Sequence, residues 1–202
     1  MSFQLHALVG DQAALERHIP GLVKAHVVPL PQWYGLVPIT AALVEEATGR
    51  RADEFPAVYL GIDLDLRSGA RFRLPDRLRI LAEKISRDAP LAFLHIECVA
   101  GPCDQIAVVW EDGRIVFGPV VTGDPWPNPN VDGLRRLYHE DRAAWLSTVQ
   151  RKMNQVASNR ALRRIGVERG VEVDEFDALG LGGRHRWTED WVEEDLGLPP
   201  GS

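Results

Sequence analysis

The sequence predicts an α+β fold, a mainly antiparallel sheet covered on one side by helices. Three observations lead to it. Two Ile- and Val-rich runs flank Asp112-Gly113, the dipeptide of a tight hairpin turn. Strand-sized apolar runs alternate with short helical periods before Pro90. From Leu134 onward the apolar spacing becomes three and four, the period of a helix.

Taken in order, Phe3 to Val9 reads as the first strand. Asp11 suits the N-cap of a helix over Gln12 to His18, which Pro20-Gly21 closes. Ala25 to Val28 reads as a second strand. Pro29 and Pro31 then hold the backbone extended or turned, because proline fixes φ and restricts the residue before it. Trp33 to Val37 reads as a third strand. Thr40 caps a helix over Ala41 to Thr48, with Gly49 as its stop. The opening is thus βαββα. Ile62, Leu64 and Leu66 alternate with Asp63 and Asp65, as a half-buried strand would. Pro75 to Arg87 forms a helix, with Leu78, Leu81 and Ile85 on one face. An antiparallel meander follows, in Leu91–Val99, Gln105–Trp110 and Arg114–Val121. Asp124 to Asn130 carries three prolines and reads as a stiff connector. Leu134, Leu137, Tyr138, Trp145, Val149, Met153 and Val156 or Ala157 share one face of the next helix. That helix is expected to break near Ser158-Asn159, and a short piece over Ala161 to Ile165 to end at Gly166.

A chain of 202 residues can bury a core of its own, and residues 1–202 read as one domain. The connector offers the only subdivision, a sheet-rich segment over residues 1–123 and a helical segment over residues 130–202. The net charge of -6 disfavours a phosphate backbone as partner, so no nucleic acid is expected. The apolar runs are strand-sized and the start carries no basic leader, which leads to a cytoplasmic, membrane-free protein with reduced thiols.

Several motifs touch on chemistry. His95-Ile96-Glu97 with Pro102-Cys103 echoes a zinc deaminase, but Ile106 stands where the second cysteine should be, and three ligands are needed. No metal and no cofactor is therefore expected. Cys98 reads as a small buried apolar residue, and a Cys98–Cys103 bridge is not expected in the cytoplasm. Asp63 and Asp65 read as a solvated strand face. Gly180-Leu181-Gly182-Gly183 lacks phosphate-loop spacing and reads first as a turn. Its alternative is an anion site on Gly182, Gly183, Arg184 and His185. Thr188 suits the N-cap of a last helix.

Charge is segregated in the last third. Residues 134–169 hold nine basic and three acidic side chains, while 172–195 hold nine acidic and two basic. The acidic segment can fold back on the basic helix. It can also face a basic protein partner through Trp187, Glu189, Asp190, Trp191, Glu193, Glu194 and Asp195, since tryptophan anchors and charged rims suit an interface.

Three stretches, Gln105 to Pro119, Asn159 to Val167 and Asp174 to Trp191, resemble uncharacterised bacterial proteins of the immunity type. The resemblance spans the C-terminal half. It implies a non-enzymatic inhibitor that binds and neutralises a cognate toxin, and it carries over no catalytic residue. The alternatives are a small enzyme, using the anion site or Cys103 with a histidine, and a self-association module.

Overall fold

The computed structural model of the chain describes residues 3–50, 74–98, 103–123, 136, 138–182 and 187–195, the last three as backbone only. The Asp63/Asp65 pair, the Pro-rich connector, Leu134 and Leu137 lie outside the described residues.

Among the described residues six strands form one antiparallel sheet in the order β2-β3-β1-β4-β5-β6. They are β1 (Phe3–Asp11), β2 (Val28–Pro29), β3 (Tyr34–Pro38), β4 (Leu91–Cys98), β5 (Cys103–Glu111) and β6 (Arg114–Thr122). The βαββα opening and the central meander therefore share one sheet, with β1 joining them by pairing both β3 and β4.

The local signals act as their chemistry dictates. Asp11 accepts a hydrogen bond from Ala14 N and starts α1 (Gln12–His18). Thr40 accepts from Leu43 N and starts α2 (Ala41–Thr48), which Gly49 closes in the left-handed conformation. In α3 (Asp76–Ile85) the buried face is Leu78, Leu81, Ala82 and Ile85. Asp112 and Gly113 both take positive φ, as a two-residue hairpin requires. Gly118 (φ 86°) sits where the β5–β6 register shifts, and a Cβ there would lie 2.3 Å from Ala107 O, so only glycine fits.

Helices cover both faces of the sheet, a correction to the one-sided cover expected from sequence. Leu8, Val37, Phe93, Val108 and Trp110 point to the side of α1, α2 and α3. Leu5, Ala7, Val9, Leu94 and Val109 point to the other side, against the C-terminal helices. β1, β4 and β5 are central and buried on both sides, so an apolar run in them does not tell which face a later helix will take.

The C-terminal helices also start and stop elsewhere than expected. Asp141 has non-helical backbone and accepts from Ala144 N, so it caps a new helix, α4 (Arg142–Met153), within the predicted one. The next break lies at Asn154–Val156. Ser158 and Asn159, expected to mark it, are inside α5 (Ala157–Arg164). Val156 offers this helix no side-chain cap. Thr122 Oγ1 instead accepts from Ala157 N, and Gln105 Oε1 accepts from Ser158 N and Ser158 Oγ. The sheet caps the helix, which a search for caps within a few residues cannot find. Asn159 is buried with both ends of its amide used: Nδ2 donates to Met153 O and Oδ1 accepts from Phe176 N.

Two short helices end the described chain, α6 (Glu175–Ala178) and α7 (Asp190–Asp195). Acidic and basic segments do meet, at Arg163 and the buried Glu175, through two hydrogen bonds of 2.8 and 3.1 Å. Thr188 does not act as the simple helix cap expected of it. Its hydroxyl accepts from His6 N and so ties the last segment to β1.

A further correction concerns the cysteines, expected as reduced thiols. Cys98 and Cys103 form a disulfide, with their Cα atoms 4.0 Å apart. They are opposed residues of β4 and β5. By the alternation of the ladder this is a non-hydrogen-bonded pair, where side chains come closest.

Candidate functional site

An open groove of about 570 Å³ lies where the turn before β3 meets the loop after α5. Its construction begins with Pro31-Gln32-Trp33. Gln32 (φ 61°, ψ 26°) and Trp33 (φ 65°) both take the left-handed conformation without being glycine. Each such residue costs roughly 1–2 kcal/mol. The turn is held by Gln32, whose Nε2 donates to Glu168 O (2.7 Å) and whose Oε1 accepts from Glu168 N (3.0 Å). One side-chain amide thus pairs with both backbone groups of Glu168 in the opposite loop.

Next to it, Tyr34 OH donates to Ile165 O at 2.9 Å. Gly166 follows with φ 97°, and a Cβ there would sit 3.3 Å from that hydroxyl. Burial raises the Tyr34 phenol above its ordinary value, and the charges of Asp11 and Glu168 raise it further, so it stays protonated and a donor. With the floor fixed, the strained turn holds the indole of Trp33 outward, 85% exposed, and Val171 on the opposite loop is fully exposed. Glu168, Arg169 and Glu172 supply the charge of the lining.

By sequence pattern Trp33 falls at the start of a strand, which leaves this site invisible. Its only signal was the run Pro29-Leu30-Pro31-Gln32-Trp33, which marks a constrained turn but not the partner that holds it.

Trp187 is 45% exposed and Glu189 is exposed. Asp190 Oδ2 accepts from Trp187 N, so its carboxylate helps shape the segment. Trp191 is 1% exposed and belongs to the core with Val28, Leu30 and Leu36, which removes it from any contact surface. The side chains of Glu193, Glu194 and Asp195 lie outside the described residues. So do Gly183, Arg184 and His185. Gly182, the remaining member of the anion set, faces the Asp177 carboxylate, whose Oδ1 lies 2.6 Å from where its Cβ would be. Burial, with Asp174 and Glu172 nearby, raises Asp177, which marks surroundings hostile to negative charge.

A second feature is buried in the sheet. His6 and His95 oppose one another across β1 and β4, and their Nδ1 atoms are 2.8 Å apart. His6 spends its backbone groups on Thr188 Oγ1 and Ile39 N, on the side away from β4. The pair with His95 is therefore non-hydrogen-bonded in the backbone, and the rings meet. Both residues are 2% exposed, and His6 Nε2 has no hydrogen-bond partner among the described residues. Burial, and then the neighbouring His95, lowers His6 to about 3, while burial lowers His95 to about 4. Two imidazoles in this contact share one proton between the facing nitrogens, so they stay neutral. Glu97 extends from the same face of β4, but among the described residues no three His, Cys, Asp or Glu side chains gather to hold a metal ion.

No protein-family model, curated protein or solved structure matches the chain. No described helix is long and apolar enough to cross a membrane.

Proposed function

We propose that this chain works by binding another protein, and that it is a non-enzymatic inhibitor of the immunity type, which neutralises a toxin by covering it. One observation carries the binding reading: Trp33 stands almost fully exposed on a turn that is strained and locked at the same time. Strain of this kind persists where the surrounding structure enforces it, and it gathers at binding sites. An exposed tryptophan on a fixed turn is also the side chain most favoured as an interface anchor. The C-terminal segment adds to the same edge of the molecule. Helix α7 packs on β2, the edge strand that leads into the Trp33 turn, and Trp187 and Glu189 are exposed just before it. The immunity-type reading rests on the resemblance of the C-terminal half. We place the protein in the cytoplasm in this reading, where the Cys98–Cys103 bridge would be open to reduction.

The test compares immobilised wild type, Trp33→Ala and Trp187→Ala in lysate of the native host. Support is a single stoichiometric protein that wild type retains, that Trp33→Ala loses, and whose toxicity on expression the chain relieves. Equal retention by wild type and Trp33→Ala would overturn the assignment of the surface, and no retained protein would overturn the binding reading.

A further inference from the structure

We infer that the Trp33 groove receives the cationic end of an arginine or lysine side chain presented by the partner. The inference rests on the protein-binding reading above and names the chemistry of what binds. The lining combines an exposed indole face with carboxylates. Trp33 and Tyr34 offer aromatic surface, and Glu168 and Glu172 stand on the facing loop. A cation over an indole gains from the negative face of the ring, and a carboxylate on its other side accepts its N–H groups. Among the described residues Arg169 is the one cation of the lining, so the carboxylates outnumber it. An acidic side chain would meet two like charges there, and an aliphatic one would leave them unpaired. The phenol of Tyr34 is committed to Ile165 O and cannot offer its proton to an incoming anion. The chain as a whole carries a net charge of -6, which favours the approach of a basic segment.

The pairing of Gln32 with Glu168 decides why the site can be ready beforehand. Gln32 takes the backbone of Glu168, not its carboxylate, so the carboxylate stays available while its Cα is fixed. Trp33 is held from the same turn. The two halves of the cation site are thus joined by one side-chain amide.

The test uses three blocked tripeptides with Arg, Glu or Leu at the centre between glycines. Binding is followed by the indole N–H resonance of Trp33, assigned from Trp33→Phe, in the full-length protein. The arginyl peptide should shift that resonance saturably, more weakly as salt rises, and the glutamyl and leucyl peptides should not. Glu168→Gln keeps the backbone pairing and should weaken binding by about threefold, while Arg169→Gln should strengthen it by a similar factor. This gain cannot come from a misfolded variant. Binding of the glutamyl or leucyl peptide as tightly as the arginyl one would overturn the inference, as would an unchanged affinity in both variants. If Trp33→Ala loses a captured protein while the arginyl peptide fails to bind, the cation inference falls and the binding reading stands. If the peptide binds as described and no protein is captured, the cation site stands and the binding reading falls.

Discussion

Acidification from pH 7.5 to pH 5.0 is expected to cost this fold several kcal/mol through one pair of side chains. In the folded chain His6 is held at about 3 and His95 at about 4, against an ordinary value of 6.5. Both values are depressed, so the unfolded chain binds the protons first. The stability that the neutral pair contributes is complete above pH 6.5, and it is lost as the pH falls from there toward the folded values. At pH 5.0 an unfolded histidine is almost fully charged and the folded ones almost fully neutral. Integrating over that interval gives about 2 kcal/mol for each histidine and about 4 for the pair. That is a large share of the roughly 5–15 kcal/mol typical of a domain. The assay is urea unfolding followed by circular dichroism at the two pH values. The control is the double variant His6→Leu, His95→Leu, which removes both partners together and leaves no orphaned ring nitrogen. Its loss between the two pH values should fall below about 1 kcal/mol. A loss smaller than this in wild type, or an equal loss in the double variant, would refute a pair held neutral by burial.

Three further outcomes are expected. Reduction of the Cys98–Cys103 bridge, or Cys98→Ala with Cys103→Ala, should lower stability by about 2 kcal/mol, the loop-closure entropy of so short a loop, and reductant should leave the double variant unchanged in a thermal melt. Gly118→Ala places a methyl 2.3 Å from Ala107 O at a positive φ, so it should cost more than about 3 kcal/mol in urea unfolding, and a loss under about 1 would contradict the packing described. Gln32→Ala removes both hydrogen bonds to Glu168 and keeps the left-handed strain, for a loss of about 1–2 kcal/mol, while Gln32→Gly relieves the strain and should lose less. Equal stability of these two variants would mean that the turn stores no strain.

Much of the fold was legible because its signals are local. Asp11, Thr40, Gly49 and Asp112-Gly113 act on backbone within a few residues of themselves, so chain order alone reveals them. The candidate site was not legible, for the opposite reason. Gln32 finds its partner at Glu168, 136 residues away, and without that partner Trp33 reads as an ordinary strand residue. Trp191, offered by sequence as a contact residue, is buried against Val28, Leu30 and Leu36, and a tryptophan in an acidic segment reads the same whether it anchors the core or recognises a partner.

By itself the sequence determined the antiparallel α+β class, the first two helices to the residue, and the hairpin at Asp112-Gly113. Periodicity, capping and turn chemistry are properties of neighbours along the chain. Only the tertiary structure decided the rest. Strand register brought His6 onto His95 and Cys98 onto Cys103. The sheet supplied the caps of α5 through Thr122 and Gln105, and so moved the helix break away from Ser158-Asn159. Both faces of the sheet were covered because both were apolar. Each of these depends on which residues meet across space, and an alternating strand pattern leaves that pairing open until the chain has closed on itself.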